Sequence, residues 1–181
     1  MQNQHEFRFI LSEDCNYRCG FCHKEGNFHK TPSYLQPKDY IFVAEAARSA
    51  WNWGTVTLTG GGPLLLPEYG EVCKALSENG IKITTVTNGS RIDKMIRELR
   101  YNTQINVSIH SLKDSEYEII TRSGYLLIDI KEKIRRLRRT FPDMIVHLNC
   151  TVMRGINNDL ESFMKVIVFA REVNGQAKFI D

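Results

Sequence analysis

The chain has no apolar run long enough to cross a bilayer, so a membrane-spanning helix is not expected. Its first residues, Met1-Gln-Asn-Gln-His-Glu6, are polar and no long apolar stretch follows them, so a signal peptide is not expected either. Excess charge of one sign is scarce. Against 21 Asp and Glu there are 24 Lys and Arg, and a net +3 is too small to argue for nucleic acid or a membrane surface as partner. Short tandem repeats and low-complexity linkers are missing from the 181 residues, which argues for one domain over 1–181 with a sizeable core. Cysteine is sparse as well. Of five, three crowd between positions 15 and 22, a pattern that fits a reducing, cytoplasmic compartment better than a secreted disulfide scaffold.

What is present begins with that crowd, Cys15-Asn-Tyr-Arg-Cys19-Gly-Phe-Cys22, directly after an apolar run from Phe7 to Leu11 that reads as a first strand. Three thiolates on one tight loop can hold three corners of a 4Fe–4S cube and leave the fourth iron open. Two other readings compete. A structural zinc site needs four ligands, and His23 or His29 could supply the fourth, although C-x3-C-x2-C is an unusual zinc spacing. A disulfide within so short a loop would be strained and would leave one sulfur unpaired. Cys73 and Cys150 lie in apolar patterns and read as buried small hydrophobes.

Beyond the loop, strands and helices alternate with short connections, which predicts parallel βα units. Pro37 opens a helix to about Trp53, with Gly54 ending it; a strand Thr55–Thr59 runs into Gly60-Gly61-Gly62-Pro63. A helix follows from Pro67 to Asn79-Gly80, then a strand Ile81–Val86 ending at Thr87-Asn88-Gly89, then a helix capped by Ser90 with Asp93 three residues on. A strand Gln104–Ile109 precedes a short helix near Asp114–Thr121 and a longer one from Leu127, whose Leu127, Ile130, Ile134, Leu137 and Phe141 share a face. A strand Ile145–Val152, a helix capped by Asn158 with Glu161 and closed by Gly175, and a sixth strand Ala177–Ile180 complete the order. The basic run Lys131, Lys133, Arg135, Arg136, Arg138, Arg139 reads as a solvated helix face in preference to a nucleic-acid surface.

One parity of most strands is polar: Thr55, Thr57, Thr59; Thr85, Thr87; Asn106, Ser108, His110; His147, Asn149, Thr151. If helices cover the apolar parity, these residues line the inside of a curved barrel, and a polar lumen implies a ligand where a packed barrel would hold branched apolar side chains. The cysteine loop, the glycine run and Asn88-Gly89 all fall at strand C-termini, on one rim.

The cysteine spacing resembles the signature of the radical S-adenosylmethionine (SAM) enzymes, and Leu58-Thr-Gly-Gly-Gly-Pro-Leu64 resembles their "GGEP" motif, with Gly62 where a glutamate is usual. The resemblance is nearest to the GTP 3′,8-cyclase family of molybdenum-cofactor biosynthesis. It runs through Arg8, Thr87-Asn-Gly89, Asn106-Val-Ser-Ile-His-Ser111, Leu148 to Asn157 and Phe179-Ile-Asp181. The resemblance implies an α/β fold, a partial (β/α)6 TIM-like barrel ending at the sixth strand. It implies Cys15, Cys19 and Cys22 as ligands of a 4Fe–4S cluster, and SAM contacts at Phe21, Gly60, Gly61, Gly62, Thr87, Asn88 and Ser108. It places Arg8, Thr87 and His147 toward substrate. The implied chemistry is reductive cleavage of SAM to a 5′-deoxyadenosyl radical that abstracts hydrogen from a substrate in the lumen, a lyase reaction when that substrate is GTP.

Departures qualify the substrate. Thr57 stands where the cyclases have an arginine and His147 where they have a lysine, and a triphosphate wants such cations. The second cluster of the cyclases is carried by three cysteines of its own, and only Cys73 and Cys150 are left over here, which cannot build it. A radical SAM enzyme acting on a different small molecule or a peptide therefore stays open, as does a non-catalytic cluster- or SAM-binding module or partner subunit. The expected partners are a small-molecule substrate, a one-electron donor such as flavodoxin or ferredoxin, and a partner subunit or second copy covering the sixth-strand edge. Neither His110 nor His147 is singled out as an acid or base.

Overall fold

A computed structural model describes residues 7–22 and 35–180. Six strands form one parallel sheet in sequence order: β1 (Phe7–Ser12), β2 (Thr55–Gly60), β3 (Lys82–Thr87), β4 (Gln104–Ser108), β5 (Ile145–Thr151) and β6 (Gln176–Ile180). The helices are α1 (Pro37–Trp51), α2 (Tyr69–Glu78), α3 (Asp114–Thr121), α4 (Leu127–Thr140) and α5 (Leu160–Glu172). Among the described residues β1 and β6 do not pair with each other, and the sheet is an open α/β partial barrel.

The core lies between sheet and helices. Leu58, Ile83, Ile105, Val107 and Leu148 on the strands and Leu76, Ile130, Ile134 and Leu137 on the helices are fully buried. α4 behaves as its periodicity predicts, with Leu127, Ile130, Ile134 and Leu137 buried and Phe141 packed at the margin. Half of its basic run is paired within the molecule: Lys133 donates to the Ser90 carbonyl, Arg135 pairs with Glu132 and Glu172, and Arg138 donates to the carbonyls of Val173, Pro142 and Asn174. Cys73 and Cys150 are buried, and burial pushes the Cys73 thiol up to about 12.

Four expectations are corrected. The α-helix expected after Ser90 does not form. From Gly89 to Leu99 the backbone bonds alternate between three- and four-residue spans, and only a 3-10 turn at Glu98–Tyr101 is regular. Ser90 gives both its amide and its hydroxyl to Asn88 Oδ1, so it closes the loop instead of capping a helix. α5 is capped by Asp159, which accepts from the Ser162 amide at 3.0 Å, while Asn158 accepts from Gly155. α1 ends at Trp51 because Asn52 takes the left-handed conformation (φ 56°), two residues before Gly54 is reached.

The fourth correction concerns the lumen. Residues in register across parallel strands share a face, and Thr85 aligns with Leu58 and Ile105, Thr87 with Val107. Those two threonines take the parity that the other strands turn to the helices, although Thr87, the last residue of β3, still reaches the cavity lining. Thr85 is buried against the Tyr69 hydroxyl (2.8 Å) and Asn102 (2.6 Å), which satisfies it on the apolar side. Thr84 and Val86 take the lumen positions of β3. On the other strands the expected parity holds, with Arg8 aligned to Thr57, Asn106 to His147, and Ser108 to Asn149.

Candidate active site

The C-terminal ends of the strands surround a cavity of about 350 Å³, within the range of ligand pockets. Cys15, Cys19, Cys22, Gly60, Gly61 and Asn88 line one side, and Ser108, His110, Asn149, Thr151 and Lys178 the other. Three segments more than twenty residues apart in sequence are thus brought to one rim.

The cysteine loop leaves β1 after Ser12 and is held by backbone. The Arg18 and Gly20 amides donate to the Thr121 and Ile120 carbonyls at the end of α3, and Gly61 N–H donates to Ser12 O at 2.8 Å. Gly60 and Gly61 are required by this approach. A Cβ on Gly60 (φ +125°) would stand 2.3 Å from Ser12 O, and one on Gly61 2.5 Å from Asp14 O and 2.6 Å from Glu13 O. The glycine run therefore makes room for the protein's own cysteine loop as well as opening its far side to the cavity. Gly62 is different: it is buried outside the cavity lining, and an added Cβ would meet the Leu65 side chain at 2.8 Å.

All three loop cysteines are free thiols. Cys15 Sγ accepts from the Tyr17 amide at 3.4 Å and from Asn88 Nδ2 at 3.9 Å. Burial, then repulsion from Cys15 and Cys22, pushes the Cys19 thiol up to about 12, and burial raises Cys15 as well. Three clustered sulfurs, half-buried at Cys15 and Cys19 and exposed at Cys22, that would repel one another as thiolates suit a bound cationic centre, which removes that penalty. Among the described residues no three His, Cys, Asp or Glu side chains converge on a point that one ion could occupy. Cysteines that each take a different iron of a cube have no need to converge, so the loop is compatible with a 4Fe–4S cluster. His23 and His29, the candidates for a fourth zinc ligand, lie outside the described residues.

Around the loop runs a closed polar network. Asn88 Nδ2 donates to Asn16 Oδ1 (2.9 Å), Asn16 Nδ2 donates to Ser90 Oγ (2.9 Å) and to the Tyr125 hydroxyl (2.8 Å), and Ser90 returns to Asn88 Oδ1. Tyr17 stacks on Tyr125 with centroids 5.5 Å apart and shares a 2.7 Å hydroxyl contact with Tyr117. Phe21 packs edge-on against the His110 ring at 4.5 Å.

The far side is less saturated. His110 Nδ1 accepts from the Thr151 amide at 3.1 Å, which leaves the other ring nitrogen to carry the proton. Burial lowers its pKa to about 4, so the ring is neutral near pH 7. The Asn157 side chain braces this corner through the His110 and Thr151 carbonyls. Asn149 Oδ1 is buried without a hydrogen-bond partner, beside its register neighbour Lys178.

Of the sequence-derived candidates, Arg8, Phe21, Gly60, Gly61, Thr87, Asn88 and Ser108 line the cavity with the three cysteines, while Gly62 and His147 do not. His147 sits deeper, with Nδ1 3.3 Å from Gln104 Nε2, and the Thr87 hydroxyl is occupied by the Gly89 amide at 3.1 Å. Lys178 was not anticipated, although the alternation Gln176, Lys178, Ile180 within β6 carries the signal. Asn16 was not anticipated either. Its partners are 72 to 109 residues away, and no local pattern announces them.

Among known proteins, the chain is 31% identical over 97% of its length to a probable GTP 3′,8-cyclase of Pyrobaculum aerophilum, and 35% identical over 83% to one of Thermococcus kodakarensis. It spans 57% and 48% of those relatives, about half their length. Its fold is similar to that of Streptococcus suis SuiB bound to S-adenosylmethionine, with a TM-score of 0.80 and 17% identity over 97% of this chain and 40% of that one. The model of the Radical SAM superfamily matches residues 9–167. The chain belongs to that superfamily.

Proposed function

We propose that this chain is the catalytic core of a radical SAM enzyme similar to the GTP 3′,8-cyclases, with Cys15, Cys19 and Cys22 holding a 4Fe–4S cluster. The observation that carries the reading is the shared cavity, where three free cysteines, the Gly60–Gly61 backbone and the ends of β3 to β6 meet. Cluster and SAM together supply reductive cleavage of the sulfonium and a 5′-deoxyadenosyl radical. This chain's residues do the positioning. Gly60 and Gly61 offer backbone to the methionyl end of SAM, Phe21 and Ser108 flank the nucleoside, and Asn88 supports the cysteine loop. Arg8 and Lys178 provide cationic groups toward the β1 and β6 edges of the cavity, which suits an anionic substrate. His110, neutral and fixed in one tautomer, offers a single N–H donor to it.

Substrate identity divides into two readings. GTP is favoured by the curated relatives. A different anionic small molecule is favoured by the position of His147 outside the lining and by buried Thr57, which leave the lumen short of cations for a triphosphate. The unpaired β6 edge with exposed Phe179 and Ile180 suits a partner segment or subunit. A flavodoxin- or ferredoxin-type donor and a reducing cytoplasm complete the reading. No helix among the described residues is long and apolar enough to span a membrane.

The test is anaerobic reconstitution with iron and sulfide, counting about four irons per chain, followed by electron paramagnetic resonance of the reduced cluster with and without SAM. A signal altered by SAM and absent in Cys19→Ala is expected; zinc in place of iron, or a spectrum indifferent to SAM, contradicts it. Titration with GTP then separates the two substrates, since only the cyclase-like reading requires saturable binding.

A further inference from the structure

The Cys15 sulfur accepts from the Tyr17 amide at 3.4 Å and from the Asn88 side chain at 3.9 Å. The Asn88 amide is not free to turn away from that sulfur. Its oxygen accepts from the Ser90 amide (3.0 Å) and hydroxyl (2.7 Å), and its second N–H is held by Asn16 Oδ1 at 2.9 Å. Asn16 is fixed in turn by Ser90 and Tyr125. Ser90 is pinned through its carbonyl by Lys133, whose ammonium lies 3.6 Å from Asp93 and 5.6 Å from the Tyr125 ring centroid. Both ends of the Asn88 amide are thus assigned, with no alternative flip that keeps these bonds.

We infer that Asn88 is a tuning residue, which holds an N–H donor on the Cys15 sulfur and thereby makes the cluster easier to reduce. The inference rests on the proposed cluster and adds a role for a residue that touches its ligand. Donors to a ligating sulfur withdraw electron density and stabilise the reduced, more negative cluster, which raises its potential. Asn16, Ser90 and Tyr125 act through Asn88 and are positioning residues.

The experiment is a redox titration of the reconstituted protein, followed by electron paramagnetic resonance, on wild type, Asn88→Asp and Asn88→Ala. Asn88→Asp keeps an acceptor for Ser90 but has no N–H for the sulfur and adds negative charge beside it. With iron content equal to wild type, its reduced-to-oxidised ratio at fixed potential is expected to fall about tenfold, ~59 mV for a one-electron couple. Asn88→Ala is expected to fall in the same direction by less. Potentials equal to wild type in both variants overturn the inference. Loss of iron from both, with unfolding temperatures unchanged, overturns it too, because Asn88 would then be part of the ligand scaffold. A wild-type protein that takes up no iron overturns the cluster reading and this inference with it.

Discussion

The two sides of the cavity are built on opposite terms. On the β1–β3 side the cysteine loop is locked: Gly60 and Gly61 pack against carbonyls of residues 12 to 14, and Asn16, Asn88, Ser90 and Tyr125 close a hydrogen-bonded ring. On the β5–β6 side Asn149 Oδ1 has no partner, and Lys178 is exposed at the edge of the sheet. Fully satisfied polar networks rigidify, and a buried polar atom without a partner is open to taking one. The side proposed to start the radical is preassembled, whereas the side proposed to face substrate is left incomplete.

The contrast can be broken most forcefully at Gly61. A Gly61→Ala side chain would press on two backbone carbonyls that cannot yield without moving the cysteine loop. Overpacking of this kind costs about 1–3 kcal/mol or more, and the variant is expected to lose both stability in urea and the capacity to hold iron. Retention of wild-type stability and iron would show that the loop is not locked by this contact.

A matched pair of substitutions sharpens the same comparison. Asn16→Ala removes bonds to Ser90, Tyr125 and Asn88, each worth about 0.5–1.5 kcal/mol, so a loss of roughly 2 kcal/mol is expected from those bonds together. Asn149→Ala removes an acceptor that has no partner, and its effect on stability is expected to be near zero or favourable. Equal losses in urea unfolding would erase the distinction between the two sides.

Much of this was readable in the chain, for identifiable reasons. The cysteine loop, the glycine run and the parallel βα order are carried by local spacing and period, and the structure reproduces them. What escaped depends on contacts distant in sequence. Thr85 and Thr87 read as lumen because β3 is polar on the parity that its neighbours use for the core, and only the register with Leu58 and Val107, with Tyr69 and Asn102 behind Thr85, gives them the helix-facing parity. Ser90 looks like a helix cap until Asn88 and Asn16 are seen to claim it. His147 and His110 share a polar parity, yet only His110 reaches the lining, because His147 lies four residues before the end of β5.

A smaller effect is expected from pH. His110 is neutral in the folded protein with a pKa of about 4, below its ordinary 6.5. Between these values the unfolded chain binds the proton and the folded chain does not, so stability is full above pH 6.5 and falls as pH drops toward 4. Urea unfolding at pH 7 and pH 5 should show this loss in wild type and a reduced one in His110→Gln. Smallest on stability is Lys178→Met, which should change urea unfolding by less than about 0.5 kcal/mol. It should nevertheless weaken binding of an anionic substrate by about tenfold, the loss of one charge-assisted hydrogen bond. GTP is the first probe to titrate, and unaltered binding would remove Lys178 from the substrate side.

The most direct test of the central claim is chemical. Reconstituted anaerobically and supplied with dithionite and SAM, the protein should release 5′-deoxyadenosine, and Cys19→Ala should release none. A wild-type protein carrying a full complement of iron that leaves SAM intact would contradict the assignment of this cavity as a radical-generating site.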